Sequence, residues 1–540
     1  MPPCRSNLDV YRISIITELL FMLIVISSYI NLNDNHELSL RGSGGSSSPS
    51  NYTKSPSSKI SNEMSNALIQ NYQFVLRPSP NPVIQAYTSD TSVYPGETLG
   101  FYVNSTDSYR VKIYRVGWYQ DNSNVRLVYV SPALHNAFKQ PEPFYDSTTN
   151  FVDPRWHTSF SLYIPGNWIS GVYFAEFTTE KKDVTYSLFV VKNPKNEGDI
   201  VMKLPVNTYQ AYNQWGGKSL YEHLSDNRTT SSHIRTTNAA YKVTFERPYA
   251  EDNGMGQFLK FDLPLVRFLE RNHYDVSYIT DVDLHEDGKI LNGYKAFISS
   301  GHDEYWSYQM RTNLERAKQN GINIIFSGGN DVYWQIRFES SFVGKKDTII
   351  VCYKKRDVDP FNGKNDLLVT VRWRDPPVNM PENSLVGTIS DEPWFVRGAF
   401  TVANSSNWVY KDTGLKDGDK LPGIIGYEIH YYIANGFQPK NLTILGHSLA
   451  TNDTNASTFA DTVLFTTKSR SLVFSAGSVI WNWGLDDWLY YYPKVKCDNP
   501  CVGLDDWLYY YPKVNAYSDV RLQIMMRNII DRMIERFSDL

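Results

Sequence analysis

Residues 274–327 read YDVSYITDVDLHEDGKILNGYKAFISSGHDEYWSYQMRTNLERAKQNGINIIFS. Three short apolar runs of strand length stand out in it: YDVSYIT (274–280), YKAFISS (294–300) and GINIIFS (321–327). Between the second and third, Met310, Leu314 and Ala317 recur at helical spacing, and before the first Leu263, Val266 and Leu269, with Leu265 and Phe268, give another helical face. Strands alternating with helices in this order imply a parallel, doubly wound sheet.

Ligands of such sheets bind beyond the carboxyl ends of the strands. The residues that follow these three runs are unusually polar: Asp281-Val-Asp283-Leu-His285, then Gly301-His302-Asp303-Glu304-Tyr305-Trp306, then Gly328-Gly329-Asn330-Asp331. All three would share one rim. A further polar and aromatic cluster, Asn207 to Tyr221 with Tyr209, Tyr212, Trp215 and paired glycines, precedes them and is followed by Arg247-Pro248-Tyr249. It lacks the alternation of a buried strand and reads as a loop lining a site. Each residue has a plain structural reading beside the functional one. Asp281 and Asp303 are placed to cap helices, His302 suits a satisfied buried imidazole, and Tyr209, Tyr212 and Tyr221 suit a core. Convergence on one rim favours function for the set.

Upstream, Ser92 to Val191 holds short alternating runs such as Leu99–Val103, Tyr109–Val116, Val172–Thr178 and Thr185–Val191, punctuated by Gly, Pro, Asn and Asp. That pattern predicts an antiparallel β-sandwich. Short strands return from about Asp347 to Thr467, packed on the sheet or inserted in it, and Ser518 to Phe537 reads as a final amphipathic helix. GLDDWLYYYPKV occurs at 484–495 and again, letter for letter, at 503–514. Two copies cannot form a solenoid.

At 540 residues the chain exceeds a single core. With 53 Lys and Arg against 57 Asp and Glu, the formal charge is -4 and no long basic run exists, which argues against nucleic acid as a partner. Ile13 to Ile30 is nearly all apolar, follows Arg5 and Arg12, and reads as a signal peptide or a type II signal anchor. Seven Asn-X-Ser/Thr triplets lie beyond it, which fits a glycosylated luminal, extracellular or secreted body. Four cysteines make no disulfide scaffold, although Cys497 and Cys501 could close a small loop. The resulting division is a tail and signal segment (1–35), a Ser- and Gly-rich stalk (36–85), a sandwich (86–195) and an α/β domain (196–540) with a β-rich insertion at about 347–467.

Other catalytic devices fail. There is no HExxH and no Cys/His zinc pattern. Gly446-His447-Ser448-Leu449-Ala450 imitates a nucleophile elbow, but no helical pattern follows it. Cys352 sits inside an apolar run and reads as a buried strand residue.

Taken together, SVYPGETLGFYV, YRVKIYRVGWYQ, TYQAYNQWGGKSLY, YDVSYITDVDLH, SSGHDEYWS, FSGGNDVYWQIRFE, GIIGYE and SAGSVIWNWGLD resemble the large, catalytic subunit of the N,N-dimethylformamidase family over roughly Ser92 to Met533. The resemblance implies an immunoglobulin-like β-sandwich followed by a flavodoxin- or glutamine-amidotransferase-like α/β domain. It also implies an amidase whose mononuclear ferric iron is held by two tyrosines and a glutamate, working with a small partner subunit. The glutamate corresponds to Glu304, with His302, Asn330 and Glu428 lining the site as catalytic residues. The tyrosines are expected to be Tyr212 and Tyr249, with Tyr221 the substitute for either. Phenolate and carboxylate oxygens are hard donors suited to ferric iron. The expected function is therefore metal-dependent hydrolysis of a small linear amide; the rival is a non-catalytic extracellular protein that binds glycans or a protein partner through an aromatic-lined cleft. A homo-oligomer is the alternative to the small partner subunit.

Overall fold

The computed structural model describes residues 69–70, 72–76, 81–119, 124–222, 239–390, 395–487 and 518–535. The chain divides into two units, 1–56 and 57–540, and every described residue belongs to the second. The apolar segment 13–30, residues 36–68 of the expected stalk and most of the 19-residue duplication lie outside the described residues, whereas the described residues of 69–85 belong to the folded body and correct the stalk's end: Ile69–Gln70 pair with Val125–Arg126 and Phe74 is buried in the main core. Among the described residues no helix is long and apolar enough to cross a membrane.

The molecule is a β-rich mixed protein with few helices. Its N-terminal part places a three-stranded sheet (Ile84–Thr88, Thr98–Ser105, Phe160–Tyr163) over a larger, mostly antiparallel one that includes Tyr109–Val116, Gly171–Thr179 and Val184–Val191. Ile84, Leu99 and Phe101 from the first meet Val111, Ile113, Phe177 and Phe189 from the second in one core. The alternation seen in the sequence is thus the inward face of each sheet.

The second part is organised by a nine-stranded sheet. Its strands are β1 (Gly198–Leu204), β2 (Val276–Thr280), β3 (Tyr294–His302), β4 (Asn323–Gly329), β5 (Val396–Thr401), β6 (Lys420–Tyr427), β7 (Leu442–Thr451), β8 (Ser457–Thr466) and β9 (Leu472–Ser475). Their spatial order is β2-β1-β3-β4-β9-β8-β7-β5-β6. The first five are parallel and the remainder antiparallel. The β-rich stretch expected at 347–467 therefore supplies strands that extend the same sheet.

Both faces of the parallel half are covered, which explains its unbroken apolar runs. Ile200, Met202, Leu204 and Ile298 face one core with helix α2 (Leu263–Arg271), while Val201, Phe297, Ile324 and Phe326 face another with helix α3 (Tyr308–Gln319). Arg115 of the N-terminal part and Glu270 of α2 form a fully buried ion pair at 2.8 Å. A terminal helix, Val520–Ile534, adds Met525, Ile529 and Met533 to the first core.

Two expectations are corrected. Thr280, not Asp281, caps the short helix after β2, with Asp283 reciprocating, and Asp303 caps nothing. As the missing helical pattern implied, no nucleophile elbow exists at Ser448: it lies within β7, where its hydroxyl accepts from the Thr401 amide at 2.9 Å. The polar cluster at 207–221, expected as a loop ahead of the sheet, instead follows a strand of the sheet, β1, and opens with a helix over Val206–Tyr212.

Candidate active site

The chain runs from β1 straight into helix α1 (Val206–Tyr212), about two turns long, at the carboxyl rim of the sheet. Asn207 fixes it there: its amide donates to Asp281 Oδ2 at 2.8 Å and its side chain to the Tyr305 carbonyl at 3.0 Å. The Glu304 amide donates to Thr208 Oγ1 at 3.0 Å. Beneath them Lys203, wholly buried, pairs with both Asp281 and Asp303. A buried cation with two carboxylates must hold its geometry, because loss of one partner would strand a charge in low dielectric.

This scaffold aims Tyr212 at Glu304, to whose Oε2 its hydroxyl donates at 2.9 Å, while Tyr221 donates to Oε1 at 2.7 Å. Their rings meet at 4.5 Å. His302 Nε2 lies 3.4 Å from Glu304 Oε2 and 2.9 Å from Glu428 Oε2. Asn330 Nδ2 donates to Glu428 Oε2 at 2.8 Å. The structure thus brings together Tyr212, Tyr221, His302, Glu304, Asn330 and Glu428.

It does not bring Tyr249 to that point. The Tyr249 ring packs edge-on to Tyr209 at 6.1 Å and lines a separate cavity with Gln210 and Arg247. The phenols on Glu304 are Tyr212 and Tyr221, so the pairing of Tyr212 with Tyr249 is replaced by the substitute. Spacing could not separate these tyrosines, because the segment between Tyr212 and Tyr221 is held by Arg247 through the carbonyls of Asn213, Trp215 and Lys218.

Glu428 arrives from β6 at the far edge of the sheet. The segment after β6 returns across the ends of β4 and β9, with the Val479 amide on the Glu428 carbonyl at 3.2 Å. Gly329 makes this crossing possible, since a Cβ there would lie 2.8 Å from the Val479 nitrogen and 3.0 Å from the Glu428 carbonyl oxygen. The following turn is strained at Val332, a β-branched residue with φ 58°. Its amide binds the Asp303 carbonyl at 3.0 Å, and that of Tyr333 binds the Glu304 carbonyl at 2.9 Å, tying the Asn330 turn to the Glu304 segment.

Electrostatics follow from burial. Burial pushes Tyr212 and Tyr221 upward and the Glu304 charge pushes them further, so both phenols are protonated in this arrangement. Burial also raises Glu304, but the hydrogen bond and charge of His302, with help from Lys354, hold it below the usual range. Burial alone would lower His302; the neighbouring carboxylates, Glu428 foremost, outweigh it and bring the imidazole to about 10. Lys354, which the sequence had not singled out, sits with Nζ 3.3 Å over the Tyr221 ring, and burial lowers it to about 8. Its sole sequence signal was a basic run after an apolar one. Cys352 is buried and free, its thiol pushed to about 12 by burial, which fits a packing role.

Among the described residues no three His, Cys, Asp or Glu side chains are placed to hold a metal ion. The donors that converge are instead one carboxylate and two phenols, with both carboxylate oxygens turned to the phenol oxygens. Such a hard, all-oxygen set fits a ferric ion in exchange for the two phenolic protons.

A β-rich α/β protein with a buried carboxylate, imidazole and phenol centre at the carboxyl rim of its parallel strands is, as a class, built like an enzyme with its site at the sheet's end. The chain belongs to the family described as N,N-dimethylformamidase beta subunit-like, C-terminal, whose model matches residues 110–499. No curated protein matches it. Among solved structures, a Paenibacillus sp. cycloisomaltooligosaccharide glucanotransferase complexed with cycloisomaltoheptaose is 8% identical, over 52% of this chain and 35% of that one, with a TM-score of 0.15. This chain thus spans about a third of that enzyme's length, and so low a score carries no argument.

Proposed function

We propose that this protein is a metal-dependent amidohydrolase, related in activity to dimethylformamidase, in which Tyr212, Tyr221 and Glu304 hold an iron ion. The observation that carries this reading is the paired donation of Tyr212 and Tyr221 to the two oxygens of Glu304. An iron ion so held supplies Lewis acidity towards an amide carbonyl. Glu428, oriented by Asn330, takes a proton from water, and the resulting hydroxide attacks the amide carbon. The second hydrogen of Asn330 Nδ2 meets the developing oxyanion. His302, set between two carboxylates, delivers its Nε2 proton to the departing nitrogen, and the carbon–nitrogen bond breaks to leave a carboxylic acid and an amine.

The finer architecture in this reading is an immunoglobulin-like sandwich on a flavodoxin- or glutamine-amidotransferase-like domain. A small partner subunit is in keeping with the family's description as beta subunit-like. Export behind the apolar segment 13–30 rests on the sequence alone.

The test is metal content and visible absorption of the purified 60–540 body, with release of amine from simple amides. Near-stoichiometric iron with a phenolate charge-transfer band, both lost in Glu304→Ala, and amine release supports the reading. A protein that stays colourless and metal-free after iron is offered overturns it.

A further inference from the structure

Phe395, the residue before β5, holds a backbone φ of 59°. That region is sterically costly for a bulky side chain. Burial does not repay the cost, because the residue stays 39% exposed. What the ring does is stack on Tyr427, with centroids 5.9 Å apart and planes 17° from parallel. The Tyr427 hydroxyl, at the other end of that ring, lies 3.4 Å from His302 Nδ1. Tyr427 also packs against Phe261 at 6.3 Å, which fixes it from behind.

The wall continues around the site. Tyr212, Tyr221, Trp334, Lys354 and Tyr427 are half-buried, whereas His302, Glu304, Asn330 and Glu428 are buried behind them. All of these half-buried groups except Lys354 are aromatic. His302 lies against Glu304 and Glu428, and Lys354 donates to the Leu220 carbonyl at 2.9 Å while covering the Tyr221 face. A flat apolar substituent would find rings to stack on there.

We propose that Phe395 and Tyr427 form a substituent subsite that selects aryl-bearing amides, with the aryl group stacked on these two rings and the amide carbon directed to the centre beside His302. The strained backbone at Phe395 is what presents its ring to that subsite. This assignment rests on the amidohydrolase reading for the bond that is cut, but the binding preference is measurable without turnover.

The experiment is calorimetric titration of the iron-loaded protein with N-methylbenzamide and with N-methylacetamide, repeated on Phe395→Ala and Phe395→Leu. The aryl amide is expected to bind the unaltered protein about tenfold more tightly than the acetyl one, as stacking and apolar burial require. In Phe395→Ala that ratio falls to about twofold while N-methylacetamide affinity holds, and Phe395→Leu, which keeps bulk without the stack, falls between. Equal affinities for the two amides in the unaltered protein, or an undiminished ratio in Phe395→Ala, overturn the subsite. Methylamine release is followed in the same samples. An aryl preference without methylamine counts against hydrolysis but not against the subsite, and methylamine without an aryl preference does the reverse.

Discussion

The Asn330 side chain donates to Glu428 Oε2 at 2.8 Å, joining the turn after β4 to the segment after β6 across the mouth of the sheet. The same oxygen faces His302 Nε2 at 2.9 Å. Glu428→Gln keeps the size of the side chain and removes its basicity. Amide turnover should fall roughly 100- to 10,000-fold, the range for loss of a positioned general base, while iron content and the denaturation midpoint stay close to those of the unaltered protein. Steady-state rates beside metal analysis check this, and full activity in the variant would remove Glu428 from its role.

The two assignments for the second phenol diverge in one comparison. Tyr221 donates to Glu304 Oε1 at 2.7 Å, whereas Tyr249 packs on Tyr209 beside a different cavity. Tyr221→Phe is expected to lower iron affinity by about 100-fold or more and to weaken the charge-transfer band, with Tyr249→Phe leaving both in place. Chelator competition followed by absorption reads the difference. Iron loss in Tyr249→Phe alone would restore the pairing drawn from the sequence.

Much of this site was legible in the residues because strand ends are local. GHDEYW and GGNDVYW follow strands, and a parallel sheet brings their ends to one rim whatever the loops do. The switch from parallel to antiparallel order at β9 was not legible, since short apolar strands read alike in either direction. Glu428 came from family resemblance and not from pattern, because it enters from the sheet's far edge through a crossing that depends on Gly329. Tyr221 could not be chosen over Tyr249, because the loop that presents it is shaped by the side chain of Arg247 and by no periodicity. Phe395 carried no signal at all, its importance lying in a backbone angle.

Asp262 offers a pH test away from the phenols and Glu304. Its carboxyl is wholly buried and receives the Tyr209 hydroxyl, and burial raises it to about 7 against an ordinary 3.8. Between those values the folded protein holds a proton that the unfolded chain has released. The stabilisation is therefore fully present below about pH 4 and is lost as pH rises through 7. Asp262→Asn keeps the acceptor for Tyr209 and abolishes the titration. Relative to the unaltered protein, its unfolding free energy should rise progressively from pH 4 to pH 7, by about 1.4 kcal/mol per pH unit at most, and level off above that. A constant difference across that range would mean that Asp262 does not titrate there.

Arg247 is wholly buried, with no carboxylate against its guanidinium, and burial lowers it to about 9. Its donors are spent on one loop: Nε on Gln210 Oε1 at 3.0 Å, Nη1 on the carbonyls of Trp215 at 3.2 Å and Lys218 at 2.9 Å, Nη2 on those of Gln210 at 3.0 Å and Asn213 at 2.8 Å. These anchor points bracket Tyr212 and end three residues before Tyr221, so one side chain sets the spacing of the two phenols. Lysine has three donors and no fork, so in Arg247→Lys at least two of these five contacts are lost. The expected cost is about 3 kcal/mol in denaturant unfolding. The informative readout is iron affinity measured well below the unfolding midpoint, where the fold is intact. If Arg247 positions the phenols, affinity falls about tenfold or more with the secondary structure unchanged. If it only stabilises the loop, affinity holds at low denaturant and the loss is confined to the unfolding curve.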